Sequence, residues 1–227
     1  MGNEEGDGKN APASIRILIL GGSKGGCGRS TLAKNLLVLA GQAGVRAIGI
    51  DFDAQQTFSK WSKRRAIARQ RLPEVVPTEV IAGRLDQWPL IAEQVREYQL
   101  AIIDTPPGVE HDMADMLSLC REAALVLVPT SPAYDDLESI VPWGVSLKRV
   151  GSRSVFILNK ANRRTKSFAS ARSTLLRHGN LAPIEIPVLE DIATPSSSGL
   201  AVVDYAKGKG ADVMADLWRY ASREIGL

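Results

Sequence analysis

Cysteine is scarce in this chain: Cys27 and Cys120 are the two in 227 residues. They lie far apart, without the paired spacing of a zinc site or a disulfide frame, which points to a reducing cytoplasm. Histidine is equally scarce. His111 and His178 form no catalytic constellation and read as surface residues. Aromatic residues make up 5% of the chain and do not interleave with its basic clusters, and Trp61, Trp88, Trp143 and Trp218 read as packing residues. No apolar run reaches the roughly 18 residues of a membrane span. The first 14 residues, MGNEEGDGKNAPAS, lack the cationic-then-apolar order of a signal peptide. They read as a disordered lead, leaving residues 15–227 as one domain with room for a real core. Acids, finally, are missing from Ser139 to Ile184, although the net charge of the whole chain is only +3.

What is present is alternation. Short apolar runs at Arg16–Leu20, Arg46–Asp51, Val76–Ile81, Leu100–Asp104, Ala124–Pro129, Ser154–Leu158 and Ile184–Val188 predict strands. They are near-continuously apolar, as strands covered on both faces must be. Between them Ser30–Gln42, Gln56–Arg71, Gln87–Tyr98, Asp112–Cys120, Asp135–Val150 and Lys166–His178 predict crossover helices, and Ala211–Ile225 a last amphipathic one. The expected fold is α/β: a mainly parallel, twisted sheet of about seven strands with helices on both faces. Ligands then sit at the carboxyl ends of the strands.

At the first strand end stands GGSKGGCGRST. Gly25, Gly26 and Gly28 let backbone N–H groups turn inward around phosphate oxygens. The helix opening near Arg29 adds its positive end. Ser30 stands where a hydroxyl ligates Mg²⁺. The strict pattern G-x-x-x-x-G-K-[ST] fails twice, because Ser23 replaces its first glycine and Arg29 its lysine. Lys24-Gly25-Gly26-Cys27-Gly28-Arg29-Ser30-Thr31 nevertheless resembles the deviant Walker A of the ParA/MinD ATPases, with Arg29 the one departure. IGIDFDAQQTFSKW is similar to the family's D-x-D-P-Q switch segment, with Asp51, Asp53 and Gln55 in register and Ala54 in place of proline. LAIIDTPPG resembles its Walker B and ends on Asp104. Leu189–Val213 resembles the late loop and terminal helix of the ParA branch. The likeness runs from about residue 14 to 225 and is nearest to the small plasmid-partition proteins.

The resemblance implies a single-domain P-loop NTPase: an ATP-dependent homodimer that binds nonspecific DNA in the nucleoid-associated cytoplasm. It would partition plasmid or chromosome under a ParB-like adaptor, with ATP, ADP and Mg²⁺ as its ligands. Lys24 would reach the partner's phosphates, and Asp53 would orient the attacking water or, on the plainer reading, cap the helix after it. Gly25, Gly26, Cys27, Gly28, Arg29, Ser30 and Thr31 would hold the nucleotide. Cys27 reads as a small filler. Ser30, Asp51 and Asp104 would surround the metal, though each Asp could simply end its strand. Arg29 is planar and bulkier than lysine, so the expectation is retained binding and weak ATPase activity. Asn159, in FILNKAN, would favour adenine, since Asn162 stands where a guanine-reading carboxylate belongs. Its alternative is a loop-capping amide.

The acid-free block carries Lys148, Arg149, Arg153, Lys160, Arg163, Arg164, Lys166, Arg172 and Arg177. Such a one-sign block predicts contact with phosphate backbones, without sequence readout, or docking of an acidic protein. Lys60, Lys63, Arg64, Arg65, Arg69 and Arg71 form a second cluster. The rival reading is a MinD-like or other positioning factor acting on a protein complex or a membrane. The last helix has the apolar stripe Val213, Met214, Leu217, Trp218, Ala221 and Ile225, but a nearly neutral polar face, so core packing and no stable membrane association are expected.

Overall fold

The computed structural model describes residues 14–108, 113–204 and 208–227. All but Ser14 of the expected lead falls outside them, as do His111 and the expected helix start at Asp112. Seven strands form one sheet: β1 (Arg16–Leu20), β2 (Ala47–Asp51), β3 (Val80–Ala82), β4 (Leu100–Asp104), β5 (Leu125–Thr130), β6 (Ser154–Leu158) and β7 (Asn180–Leu181). Their order is β3-β2-β4-β1-β5-β6-β7, and every pairing is parallel. Successive side chains of a strand point to opposite faces. Ile17 and Ile19 therefore enter one core, and Leu18 and Leu20 the other. Withdrawing each such side chain from water stabilises the fold by about 1.5–3 kcal/mol.

Helices α1 (Arg29–Gln42), α2 (Thr57–Ala68), the short α7 (Glu190–Ala193) and α8 (Lys209–Glu224) cover the Leu18 face. The opposite face is covered by α3 (Trp88–Gln94), α4 (Met113–Glu122), α5 (Tyr134–Arg149) and α6 (Lys166–His178). Helix α2 lies hard against β2 because Gly49 has no side chain; a Cβ there would stand 2.6 Å from the Phe58 ring. The stripe of α8 is core: Met214, Leu217, Trp218, Ala221 and Ile225 are buried beside α1. Among the described residues no helix is long and apolar enough to cross a membrane.

Two expected strands change. Ile184–Val188 forms no strand. Its neighbourhood supplies only the bonds Ile186 N to Leu158 O and Ala161 N to Ile186 O, because Pro183 and Pro187 have no N–H to donate. The seventh strand is instead Asn180–Leu181. The third begins at Val80, after Pro77 and not at Val76. The helix expected over Gln87–Tyr98 ends at Gln94.

Candidate nucleotide site

The loop between β1 and α1 is held from behind by its own carbonyls. Arg29 Nη1 donates to Lys24 O at 2.6 Å and Gly22 O at 3.4 Å. Its Nε donates to Thr105 O at 3.1 Å, just past β4. Lys160 Nζ donates to Gly26 O at 2.9 Å, and Asn159 Nδ2 to Cys27 O at 2.7 Å. In a planar peptide the N–H points away from the C=O. The amides of Gly25, Cys27 and Gly28 are thereby turned the other way, and none has an acceptor among the described residues. Gly28, with φ 99°, precedes the first residue of α1. A Cβ there would also stand 2.2 Å from Asn159 Nδ2.

These amides face a cavity of about 430 Å³, bounded on its far side by Lys34, Asp53, Gln55 and Thr57. Across Gly28, Thr31 and Lys160 lies a second, apolar chamber of about 330 Å³, walled by Pro187, Val188, Leu189 and Met214. A charged chamber joined to an apolar one matches the division of a nucleotide into phosphates and base.

Asp51 and Asp104 are register partners across β2 and β4, and both are fully buried. Their surroundings differ. Asp51 accepts from Asp53 N at 3.1 Å and from Ser59 N at 2.8 Å, so it shapes the loop into α2; burial still raises its proton affinity. Neither oxygen of Asp104 has a hydrogen-bond partner among the described residues. Burial pushes its pKa up to about 7, with the nearby Ser30 hydroxyl opposing that shift. An orphaned carboxylate beside a hydroxyl and facing a phosphate-type cavity fits a hard divalent cation. Asp53 lines the cavity and accepts from Gln55 N at 2.8 Å. It therefore caps a turn and not α2, whose preceding residue is Gln56, at φ 51°.

Several long side chains make contacts that the sequence did not show. Arg29 lines the phosphate cavity and, 6% exposed, is also a tie for the loop's backbone. Lys24 lies outside the cavity, 45% exposed, donating to Asp135 O at 2.9 Å and paired with Asp136 at 3.4 Å. Asn159 uses its amide on Cys27 O and Lys160 N, the loop-capping alternative. Lys160, grouped by sequence with the DNA-facing cations, turns into the phosphate loop; its φ of 51° is costly for a non-glycine residue. In the second cluster Arg65 is buried, with a bidentate bond to Asp204 at 2.6 and 2.8 Å and its guanidinium over Trp61. Sequence reasoning missed Lys34, whose signal was a lysine inside the apolar run Leu32–Leu37. It donates to Ser196 Oγ at 2.9 Å. Burial and then Arg64 lower its pKa to about 8.

The family model of the CobQ/CobB/MinD/ParA nucleotide binding domain matches residues 18–202. An uncharacterised ATP-binding protein of Methanocaldococcus jannaschii is 22% identical over 225 residues, covering 86% of this chain and 83% of that protein. The septum site-determining protein MinD of Pyrococcus horikoshii, solved with Mg-ADP, superimposes with a TM-score of 0.73 at 21% identity, over 93% of this chain and 98% of that one. A plasmid partition protein of Borrelia burgdorferi, solved with AMPPNP, gives 0.67 at 14% identity, over 92% and 100%. This chain belongs to the CobQ/CobB/MinD/ParA nucleotide-binding family.

Proposed function

We propose that this member of the CobQ/CobB/MinD/ParA family is an ATP-driven dimerising switch. It binds DNA without sequence preference, positions or segregates a plasmid-like or chromosomal cargo, and hydrolyses ATP slowly until a ParB-like adaptor stimulates it. The observation that carries this reading is Lys24, exposed beside the phosphate cavity and not inside it. A lysine so placed has little to offer its own subunit's phosphates and can swing toward those of a second copy.

The phosphates would lie against the amides of Gly25, Cys27 and Gly28, and the base in the apolar chamber, positioned and not read by Asn159. Ser30 and Asp104 would hold Mg²⁺, with Asp51 shaping the loop beside them. When bound, the metal supplies neutralisation of phosphate charge. Asp53, on the cavity wall, would orient the attacking water and accept its proton at a carboxylate oxygen. Arg29 is tied through Nε and Nη1 to loop carbonyls and Thr105 O, which fixes its position and leaves Nη2 as the group to meet a phosphate. Hydrolysis depends on close placement, which supports slow turnover.

The DNA surface would run along α5, α6 and the turn before α6, where Lys148, Arg149, Arg164, Lys166, Arg172 and Arg177 are exposed. Arg163 is paired with Glu185. Along α6 the cations from Lys166 to Arg177 spread over about 17 Å. The test is DNA binding and sedimentation with no nucleotide, ADP and ATP. ATP-dependent dimerisation and DNA binding should appear together, with log affinity falling against log salt at a slope of about −4 to −5. DNA binding without dimerisation, or the reverse, would refute the coupling. Dimerisation with cargo proteins bound and DNA ignored would favour the second reading, a positioning factor for a protein complex. That reading draws support from the fold shared with MinD, while the buried stripe of α8 argues against a membrane partner.

A further inference from the structure

The cations of α2 lie on the opposite side of the sheet from those of α5 and α6, and they frame an apolar groove. Its floor and walls are Ile67, Ala68 and Leu72 on one side and Ser197, Ser198 and Leu200 on the other, enclosing about 350 Å³. Ile67 is 63% exposed and Leu72 37%, large apolar side chains left in water at adjoining positions. Arg64 and Arg71 line the same groove, with Lys60 and Lys63 exposed on earlier turns of the helix. No acid occurs between Asp53 and Glu74. Arg64 is incompletely satisfied: Nη2 donates to Ser196 O at 3.3 Å, while its buried Nε has no acceptor among the described residues.

We propose that this groove docks an acidic, amphipathic protein segment, its aliphatic side chains over Ile67 and Leu72 and its carboxylates on Arg64 and Arg71. A phosphate backbone would gain nothing from the aliphatic floor, and a purely apolar segment would leave the cations unanswered. Ser196 joins the groove to the nucleotide cavity, because its carbonyl accepts from Arg64 and its hydroxyl from Lys34, which lines the phosphate chamber. An occupant that draws Arg64 toward itself loosens the Ser196 segment on which Lys34 rests. This link, unlike the docking, depends on the phosphate chamber being the nucleotide site.

The docking is tested without nucleotide. A fluorescein-labelled helical peptide with leucine at i, i+3, i+4 and i+7 and glutamate elsewhere is titrated with the full chain and followed by anisotropy. Three comparison probes are the same peptide with lysine for glutamate, the same peptide with serine for leucine, and a duplex DNA. The Leu/Glu peptide should bind, and both altered peptides should not. Ile67→Ser and Arg71→Glu should each weaken it about tenfold or more while leaving DNA affinity, measured separately with ATP present, unchanged. Both residues are exposed, so unaltered melting is expected, and either variant alone suffices. Failure of the Leu/Glu peptide to bind overturns the proposal, as does equal binding of the serine peptide. So does loss, with ATP present, of DNA affinity or of self-association in Ile67→Ser, which would make the groove a DNA or dimer surface. The link is read separately: the bound peptide should speed release of a fluorescent ADP from the native chain and not from Ser196→Ala. Peptide binding with release unchanged overturns the link; absence of ADP binding instead refutes the nucleotide reading, with the docking result unaffected.

Discussion

Replacing Asp104 by asparagine should stabilise the nucleotide-free protein by an amount that grows from near zero at about pH 4 to its full value above about pH 7. The side chain is fully buried at the end of β4, its oxygens without a hydrogen-bond partner among the described residues, and its pKa is raised from 3.8 to about 7. That displacement corresponds to about 4 kcal/mol between charged and neutral forms. The sign follows from proton counting. Below pH 3.8 both folded and unfolded chains hold the proton, and the group costs nothing. Between 3.8 and 7 only the folded chain holds it, so stability falls as pH rises, and above 7 the full penalty stands. Asparagine keeps the shape without the charge. It also deprives Lys34 of an attractive neighbour, which takes back part of the gain. A net stabilisation of about 2–3 kcal/mol at pH 8 is expected, shrinking toward zero near pH 4. Urea denaturation of both proteins across pH 4 to 8.5, without metal or nucleotide, is the assay. Magnesium with ADP should stabilise the native protein at pH 8 and lose most of its effect on the variant. An asparagine variant no more stable than the native chain at pH 8 would refute the claim that Asp104 is an unsatisfied buried carboxylate.

Arg29→Lys exchanges a guanidinium that bridges three carbonyls for a single ammonium. It should lower apo stability by about 1–3 kcal/mol and raise ATP turnover at least severalfold, measured by denaturation and phosphate release; unchanged turnover would acquit Arg29 of slowing the reaction. Gly28→Ala places a methyl 2.2 Å from Asn159 Nδ2 at φ 99°. It should cost about 2–4 kcal/mol of stability and abolish nucleotide binding by calorimetry. Arg65→Ala leaves Asp204 buried without its bidentate partner, an expected loss of about 3–5 kcal/mol, whereas Arg71→Ala in the same cluster should shift Tm negligibly.

The sheet was legible in the sequence where strands are buried on both faces. In β1 and β4, runs such as ILIL and LAII leave no polar face to misread, and their boundaries coincide with those observed. Legibility failed at the sheet's edges, where proline decides. Pro183 and Pro187 break a ladder that the apolar count alone would grant to Ile184–Val188. The glycine-rich loop and its carboxylates announced themselves by spacing, but spacing does not say which way a long side chain turns. Lys160 and Arg65 carry the same charge as their exposed neighbours. What turns Lys160 onto the loop and buries Arg65 is an acceptor distant in sequence, Gly26 O for one and Asp204 for the other. Lys34 escaped notice for the complementary reason: a single cation in an apolar run looks like a solvated exception until Ser196 closes over it.

The tie-back of the loop decides how Arg29 should be understood. Four of its carbonyls, those of Gly22, Lys24, Gly26 and Cys27, accept from Arg29, Lys160 and Asn159 before any phosphate is present. A loop pre-organised in this way costs little to order on binding, so ground-state affinity for a nucleotide rests mainly on the amides and the helix end, which no cation has to leave its place to supply. Charge that develops later, on the transferring phosphoryl group, is different. It calls for a cation that is free to follow it, and Arg29 is the one held by three backbone acceptors. Lys24 is held more loosely, by one carbonyl and one half-exposed ion pair, and exposed pairs contribute at most about 1 kcal/mol. The more loosely held cation is therefore the outward one, and under the proposed dimerising reading a subunit that binds ATP by itself would still depend on a second copy to neutralise what it binds.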